Sequence, residues 1–157
     1  MVTPLEAAGT VVDPELRVVT IDELGILRSV ETDDATGQVV VTITPTYTGC
    51  PAMDVIRADI TRTLAAQGYP DVEIRTVLRP AWTTEMMSDT GRRKLAAAGI
   101  APPSTTRPSV VALKLSVACP RCASLDTEEL SHFGSTACKS LWRCRGCGEP
   151  FDRIKPL

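Results

Sequence analysis

The chain has 157 residues, of which 43% are hydrophobic and 23% are charged, with a net charge of -2. This composition is typical of one or two small globular domains. No apolar run reaches the ~20 residues that cross a bilayer, and the N-terminus lacks a basic start followed by an apolar block. We therefore expect a cytoplasmic protein with no membrane partner, in which thiols stay reduced and bind metal or react rather than form disulfides.

Charge is divided unevenly along the chain. Residues 1–100 hold nine Lys and Arg against fourteen Asp and Glu, or -5, whereas residues 110–157 hold seven against five, or +2. An excess of this size on a small segment is too slight for an electrostatic footprint on DNA or RNA. We therefore expect no nucleic-acid partner.

The first predicted element is a short helix. Thr3, Pro4 and Glu6 fit a capping box with proline in the first helical turn. The helix cannot pass Asp13, because Pro14 disfavours helical geometry in the residue before it.

Strands and helices alternate through the rest of the first hundred residues. "GILRSVET", "DDATG" and "QVVVTITPTY" predict strand, turn and strand, with alternate apolar residues on one face. "VEIRTVL" predicts a third strand, and "SDTGRRKLAAAG" a short exposed helix. Between the second and third strands, apolar residues recur at helical spacing at Met53, Ile56, Ile60 and Leu64. This spacing predicts a longer helix, and Gly68 is expected to end it. This order predicts an α+β domain with a small mixed sheet and packed helices.

A boundary follows at "APPSTTRPS", where prolines and small polar residues predict an extended linker. We predict three parts: an α+β domain over 1–100, a linker over 101–109, and a second module over 110–157. "SVVALKLSVACPRC" predicts a β-rich lead into that module. The module has too few residues for a large apolar core, so stabilisation by a bound metal is physically plausible.

The second module carries two C-x-x-C pairs, Cys119 with Cys122 and Cys144 with Cys147. A two-residue spacer lets both thiolates of a pair bind one ion, and two facing pairs complete a tetrahedron of sulfur. We therefore predict a closed structural zinc site in a ribbon. The same four cysteines could also hold tetrahedral iron. Gly146 and Gly148 are expected to provide backbone freedom for the second turn.

Two further residues between the pairs are candidate spare ligands. Cys138 and His132 could each bind metal, but four thiolates already satisfy the ion, so a structural or surface role is favoured. Trp142 and Phe151 are expected to pack on the cysteine turns.

Cys50 lies alone in "TYTGCPAM", where a helix is about to begin. Pro51 suits the first helical turn, and the unsatisfied amides and dipole of a helix start favour thiolate over thiol. The position suits nucleophilic or metal-binding chemistry, whereas residue type alone favours a buried small hydrophobe.

The sequence around Cys50 argues against a hydrolase. A Cys/His pair needs a nearby histidine, and the single one, His132, belongs to the other module. The first module has no phosphate-binding glycine loop, paired-histidine metal site or G-x-S-x-G elbow. Asp13 and Glu15, in "DPE", are by themselves more typical of a helix stop and turn.

Three stretches together resemble a known family. "DPELRVVTIDELGILRSV", "VTITPTYTGCPAMDVIRADI" and "RTVLRPAW" resemble the small domain of metal-sulfur cluster biosynthesis proteins, which act in iron-sulfur cluster assembly. "PAWTTEMMSDTGRRKLAAAGIAPP", joined to "CPRCASLDTEELSHFGSTACKSLWRCRGCGEPFD", is similar to the D-type subunits of the bacterial phenylacetyl-CoA epoxidase system. The resemblance covers nearly the whole chain.

The resemblance implies a non-catalytic accessory role in aerobic phenylacetate degradation. In that system a di-iron oxygenase and a reductase with flavin and a [2Fe-2S] cluster perform the catalysis; this chain has no E-x-x-H pair, no ferredoxin cysteine spacing and no Rossmann fingerprint. The resemblance implies maturation or assembly, by delivery of iron or an iron-sulfur cluster to the oxygenase or the reductase. The assembly-domain pattern falls on Asp13, Pro14, Glu15, Thr48, Gly49, Cys50 and Pro51.

The resulting hypothesis is that Cys50, near Asp13 or Glu15, transiently binds iron or a cluster. One thiolate cannot hold a cluster, so a second ligand is expected from Cys50 of a homodimer or from a partner subunit. Two alternatives stay open at this point: a zinc-ribbon module that binds nucleic acid or docks on protein, and a thiol enzyme that acts on an acyl-CoA through Cys50.

Overall fold

The computed structural model describes residues 1–104 and 117–156, and divides the chain into two compact units. We call residues 1–91 the N-terminal unit and residues 92–157 the C-terminal unit. The predicted linker at 101–109 is described only in part: Ala101 belongs to a strand, and residues 105–109 lie outside the described part. That linker and the two domain bounds beside it stay predictions.

As far as residue 97 the elements follow the predicted order, whereas a strand at Ile100–Ala101 reaches into the predicted linker. They are α1 (Pro4–Gly9), β1 (Leu27–Thr32), β2 (Val39–Ile43), α2 (Ala52–Ala66), β3 (Val72–Thr76), α3 (Asp89–Ala97), β4 (Ile100–Ala101), β5 (Thr127–Ser131), β6 (Lys139–Cys144) and β7 (Pro150–Ile154). A 3-10 turn at Thr84–Met86 precedes α3. The predicted β-rich lead over 109–122 lies mostly outside the described residues.

The N-terminal unit contains a three-stranded sheet in the order β1-β2-β3. β1 and β2 are antiparallel and β2 and β3 are parallel, so the sheet is mixed, as predicted. α2 connects the parallel pair, which is the usual solution because parallel strands need a long crossover. The predicted α+β class is confirmed.

The core of this unit lies where the apolar periodicity predicted it. Alternate residues of β2 are fully buried, and so is one face of α2. These residues are Val39, Val41, Ile43, Ile56, Ile60 and Leu64. A period of two in β2 and of three to four in α2 brings both apolar faces to one interior.

α1 begins as predicted. The Thr3 hydroxyl accepts a hydrogen bond from the Glu6 amide at 3.2 Å, and the Glu6 carboxylate accepts one from the Thr3 amide at 2.8 Å. This capping box satisfies two amides that the first turn cannot pair by itself. The helix ends at Gly9, well before Pro14.

A segment after β3 packs against the loop before β1. The Trp82 indole N–H donates to the Leu24 carbonyl at 2.8 Å, and the indole is buried. Gly25 has φ +74°, and a Cβ there would lie 2.5 Å from the Met86 carbonyl oxygen. Both the backbone conformation and the close approach therefore require glycine at position 25.

The C-terminal unit contains a four-stranded sheet in the order β4-β7-β6-β5. β5, β6 and β7 form an antiparallel meander, and β4 adds parallel to β7. Among the described residues, one buried cluster of this unit consists of Ala101, Val117, Phe151, Cys119 and Cys144, with Trp142 against it. Phe151 and Trp142 therefore pack on the cysteine turns, as predicted.

The net charges of the two units differ more than those of residues 1–100 and 110–157. The N-terminal unit has six Lys and Arg against fourteen Asp and Glu, or -8. The C-terminal unit has eleven against five, or +6. The difference arises because Arg92, Arg93 and Lys94 of α3, together with Arg107, fall in the C-terminal unit.

Candidate functional site

The four ribbon cysteines converge on one point. The sulfur atoms of Cys119, Cys122, Cys144 and Cys147 all lie within 4.8 Å of one another. Cys119 Sγ is 3.8 Å from Cys147 Sγ, and Cys122 Sγ is 3.5 Å from Cys144 Sγ. A zinc ion with Zn–S bonds of about 2.3 Å requires sulfur atoms about 3.8 Å apart. The spacing therefore fits a tetrahedral ion held by four thiolates.

The two cysteine turns have the same backbone pattern. In the first, the Cys119 amide donates to the Ser124 carbonyl and the Ala123 amide donates to the Cys119 carbonyl, both at 2.9 Å. In the second, Cys144 pairs in the same way with Glu149 and Gly148, also at 2.9 Å. The fifth residue of each turn is left-handed, with φ +60° at Ala123 and +79° at Gly148.

Amide groups also point at the sulfur atoms. The Arg121 amide donates to Cys119 Sγ and the Cys147 amide donates to Cys144 Sγ, each at 3.4 Å. Such donors stabilise negative sulfur. The pKa of the Cys144 thiol is lowered to about 7, and the largest cause is the hydrogen bond from the Cys147 amide.

Gly146 has a different role from the predicted one. Its φ lies outside the left-handed region, but a Cβ would lie 3.0 Å from Ser124 Oγ and 3.5 Å from Cys144 Sγ. The two turns approach each other closely at this point, so glycine is needed for space. Gly148 has the left-handed conformation that the sequence predicted.

Cys138 and His132 lie outside the sulfur cluster. Cys138 is half-buried, and its sulfur lies 3.1 Å from the Thr136 hydroxyl. His132 is exposed, with Nδ1 3.2 Å from a Glu129 carboxylate oxygen. Among the described residues, the one group with three or more clustered metal ligands consists of the four ribbon cysteines.

Cys50 lies immediately before α2, as its sequence context predicted. Pro51 is the N-cap residue of α2, with φ -68° and ψ -21°. The sulfur is half-buried, and the Ala52 amide and the Tyr47 side chain lie close enough to lower its pKa. The Met53 amide donates to the Cys50 carbonyl at 3.2 Å.

The expectation that this position favours thiolate is wrong in the resting protein. Burial raises the pKa of the Cys50 thiol above its ordinary value. The hydrogen bonds from Ala52 and Tyr47 lower it, while the carboxylates of Glu15 and Asp13 raise it further. Desolvation outweighs the helix start, so Cys50 is a thiol at neutral pH.

Asp13 is held in a structural turn. One carboxylate oxygen accepts hydrogen bonds from the Glu15 amide at 2.9 Å and the Leu16 amide at 2.8 Å, and the residue is 5% exposed. This is the turn that "DPE" indicated by itself. The turn also brings Glu15 and Asp13 within electrostatic range of Cys50. Thr48 lies on the surface of the loop before Cys50.

Tyr47 is the residue near Cys50 that the sequence reasoning missed. Its side chain is half-buried and reaches the Cys50 sulfur. The signal was available in "TYTGC", where a hydroxyl lies three residues before the thiol and a glycine allows the chain to turn between them.

No helix among the described residues is both long enough and apolar enough to span a membrane.

Comparison with known proteins matches a family to each of two parts of the chain. Residues 5–77 match the family described as "Iron-sulfur cluster assembly protein", and residues 103–155 match the "PaaD zinc beta ribbon domain". The chain thus joins an iron-sulfur cluster assembly domain to a zinc ribbon. A relative from Escherichia coli K12, a putative D-type subunit of 1,2-phenylacetyl-CoA epoxidase, is 44% identical over 91% of this chain and 85% of its own length. The chain belongs to this family, the PaaD family.

Two other proteins match the first unit. An Fe-S protein maturation auxiliary factor from Porphyromonas gingivalis is 37% identical over 51% of this chain and 75% of its own length. The crystal structure of a domain of unknown function, DUF59, from Bacillus anthracis is 31% identical over 59% of this chain and 87% of that chain, with a TM-score of 0.54. The predicted resemblance to both families is confirmed.

Proposed function

We propose that the chain is a non-catalytic accessory subunit of the phenylacetyl-CoA epoxidase system, and that it delivers iron or an iron-sulfur cluster to the oxygenase or the reductase through Cys50. The observation that carries the proposal is the placement of Cys50. Its half-buried sulfur, with the carboxylates of Glu15 and Asp13 within electrostatic range, lies in the unit that matches iron-sulfur cluster assembly proteins. The names of the relatives support the same role.

The ribbon has a separate role in this proposal. Its four thiols fit one ion and leave no position for substrate, so they are structural. Zinc would be held by Cys119, Cys122, Cys144 and Cys147, and its binding would stabilise a unit whose buried cluster includes two of these ligands. The ribbon then presents a rigid surface to the other subunits.

The Cys50 loop suits transient rather than permanent binding. The described residues near Cys50 provide no preassembled set of three ligands. When iron binds, a sulfur–iron bond forms and the thiol proton leaves to solvent, with no change in oxidation state. Release to the acceptor reverses this exchange. A second ligand comes from the acceptor subunit or from Cys50 of another copy.

Two observations disfavour the alternatives. A thiol enzyme needs an ionised or base-activated sulfur, but burial raises the pKa of Cys50 and the nearest charges are carboxylates. Binding of nucleic acid is disfavoured because several cations of the C-terminal unit are already paired with carboxylates. Arg145 bonds Glu128 at 2.6 Å, and the buried Lys139 lies 3.6 Å from Asp152.

The test is complementation of a strain that lacks this subunit. Cys50→Ala should abolish growth on phenylacetate and lower the cluster content of the reductase or the iron content of the oxygenase. Cys138→Ala, which removes a half-buried thiol outside both sites, is the matched control and should restore both. Wild-type growth and metal content with Cys50→Ala would refute the proposal.

A further inference from the structure

β3 is an open edge of the three-stranded sheet in the N-terminal unit. Among the described residues, the order β1-β2-β3 leaves β3 with a neighbouring strand on one side only. The pairing of β3 with β2 is continuous along the strand, whereas the pairing of β1 with β2 is interrupted by a bulge. Proteins commonly block an exposed edge with a bulge, a proline or a lysine, and β3 carries none of these. Within the described part of the chain, this edge is therefore available to another strand.

The outward backbone groups of β3 belong to alternate residues. The Asp71 carbonyl accepts a hydrogen bond from β2 and the Val77 amide donates one to β2, each at 2.9 Å. In a parallel pair these two bonds fix which residues of β3 turn their amides and carbonyls toward β2, and they are the odd-numbered ones. The residues that turn these groups outward are therefore Val72, Ile74 and Thr76.

The charges of β3 select one register for pairing with a second copy of the same edge. The side chains of Glu73 and Arg75 are 43% and 57% exposed, on the same face of the sheet. An antiparallel pair centred on Ile74 matches outward groups with outward groups and puts Glu73 of each copy opposite Arg75 of the other. These are the closely spaced positions between hydrogen-bonded pairs, where side chains interact most strongly. A pair centred on Glu73 or Arg75 would put like charges opposite each other and join fewer residues of the strand.

The other face of the edge adds an apolar contact in the same register. Thr76 lies on the face that α2 covers, because Arg57 of α2 donates to its hydroxyl at 2.5 Å. Ile74, two residues earlier, shares that face and is half-buried. Pairing would put it opposite Ile74 of the second copy, and would put Leu78, which is 57% exposed, opposite Pro70 of that copy. One register thus matches both the charged and the apolar face.

We propose that β3 pairs antiparallel with β3 of a second copy of this chain, so that two three-stranded sheets join into one sheet of six strands. The two-fold axis passes beside Ile74, and each copy contributes the same surface, as a closed dimer requires. A strand edge of this length forms a small interface, so the dimer is reversible, with a dissociation constant of roughly 10–100 µM.

This dimer keeps the two Cys50 sites apart. Cys50 follows the carboxyl end of β2, and β3 runs parallel to β2. Antiparallel pairing of the two β3 strands therefore puts the two carboxyl ends on opposite sides of the two-fold axis. Under the proposed function, the second ligand for iron then comes from the acceptor subunit rather than from this second copy. The pairing itself does not rest on the proposed function.

Charge reversal in the full chain tests the register. Glu73→Arg would make two arginines face each other at both charged positions of the dimer, and Arg75→Glu would make two glutamates do so. Each variant alone should raise the dissociation constant at least about tenfold, measured by sedimentation equilibrium from about 1 µM to about 1 mM. Asp34→Arg is the matched control, because it makes the same change of charge at an exposed turn residue, and it should leave the dimer as in the wild type.

Mixing the two variants separates pairing between copies from effects within one chain. In a heterodimer of the Glu73→Arg and Arg75→Glu chains every facing pair is again of unlike charge, so the mixture should associate at least as tightly as the wild type. Mixing cannot restore the ion pair that Glu73 and Arg75 form within one chain at 2.7 Å. A wild-type chain that stays monomeric at about 1 mM would overturn the inference. A dimer that neither variant weakens would overturn it as well.

Amide hydrogen exchange, followed by NMR, locates the contact. The amides of Val72, Ile74 and Thr76 should exchange more slowly as the concentration rises through the dissociation constant. Those of Glu73 and Arg75 already face β2 and should not change. Protection of the outward amides that arises only when the oxygenase or the reductase is added to a monomeric chain would overturn the second copy in favour of a strand from a partner subunit.

These measurements are independent of the test of the proposed function. Neither sedimentation nor amide exchange involves iron or growth on phenylacetate. Wild-type growth with Cys50→Ala would refute iron delivery and leave the dimer in place. A monomeric chain in which Cys50→Ala abolishes growth would refute the dimer and leave iron delivery in place.

Discussion

The two sulfur sites of this chain use cysteine in opposite ways. In the C-terminal unit, four sulfur atoms lie within 4.8 Å of one another and are supplied with backbone donors by two turns of the same pattern. In the N-terminal unit, Cys50 is a single thiol whose neighbours are a hydroxyl, an amide and two carboxylates. The first arrangement fits an ion that stays bound, whereas the second, under the proposed function, binds an ion that arrives and leaves.

The difference follows from what each unit needs in order to fold. Among the described residues of the C-terminal unit, one buried cluster has five members and two of them are cysteines, so we expect a metal held by these cysteines to stabilise the unit. The N-terminal unit buries a sheet face against α2 and has an apolar core of its own. Its cysteine is therefore available for chemistry that changes its ligands.

The largest expected effect is loss of the ribbon. Cys144→Ser removes a fully buried ligand, and binding of a structural zinc is worth ~10 kcal/mol or more to folding. We expect loss of the bound metal, measured by elemental analysis, and unfolding of residues 117–156, measured by hydrogen exchange. Cys138→Ser should retain both. Full metal content in Cys144→Ser would show that the ribbon does not need all four sulfurs.

A core substitution in the N-terminal unit should have a smaller effect and leave the metal in place. Ile60→Ala opens a cavity at a residue that is 0% exposed, which costs about 2–5 kcal/mol of unfolding free energy. Val55→Ala on the same helix, at a residue 47% exposed, should cost less than about 0.5 kcal/mol. Urea unfolding and metal analysis check both. Metal loss in Ile60→Ala would show that metal binding by the ribbon cysteines depends on the core of the N-terminal unit.

The smallest effect concerns the two cysteine turns. Ala123 has φ +60°, which is strained for a residue with a Cβ, whereas Gly148 at +79° is not. Ala123→Gly should stabilise the metal-bound ribbon by roughly 0.5 kcal/mol, and Gly148→Ala should destabilise it by about 1 kcal/mol. Competition with a chelator measures both as changes in metal affinity. A shift of metal affinity in the same direction for both substitutions would contradict the equivalence of the two turns.

Much of the molecule could be predicted from the sequence because its signals are local. The capping box at Thr3 and Glu6, the alternating residues of β2 and the helical spacing after Cys50 each depend on neighbours within about four positions. The C-x-x-C spacing likewise determines how two sulfurs can meet one ion.

What the sequence left undetermined depends on contacts between distant residues. The close approach of Gly25 to Met86 and the bond from Trp82 to Leu24 join segments about sixty positions apart, and they involve residues between the two matched family ranges. The addition of β4 to β7 and the need for space at Gly146 are equally non-local.

The sequence by itself determined that a thiol precedes a helix at position 50 and that four other thiols can share one ion. Only the tertiary structure decided the chemistry of that first thiol. It partly buries the sulfur and places Glu15 and Asp13 within electrostatic range. The physical reason is that the ionisation of a thiol depends on desolvation and charges in three dimensions, which can outweigh the helix start beside it.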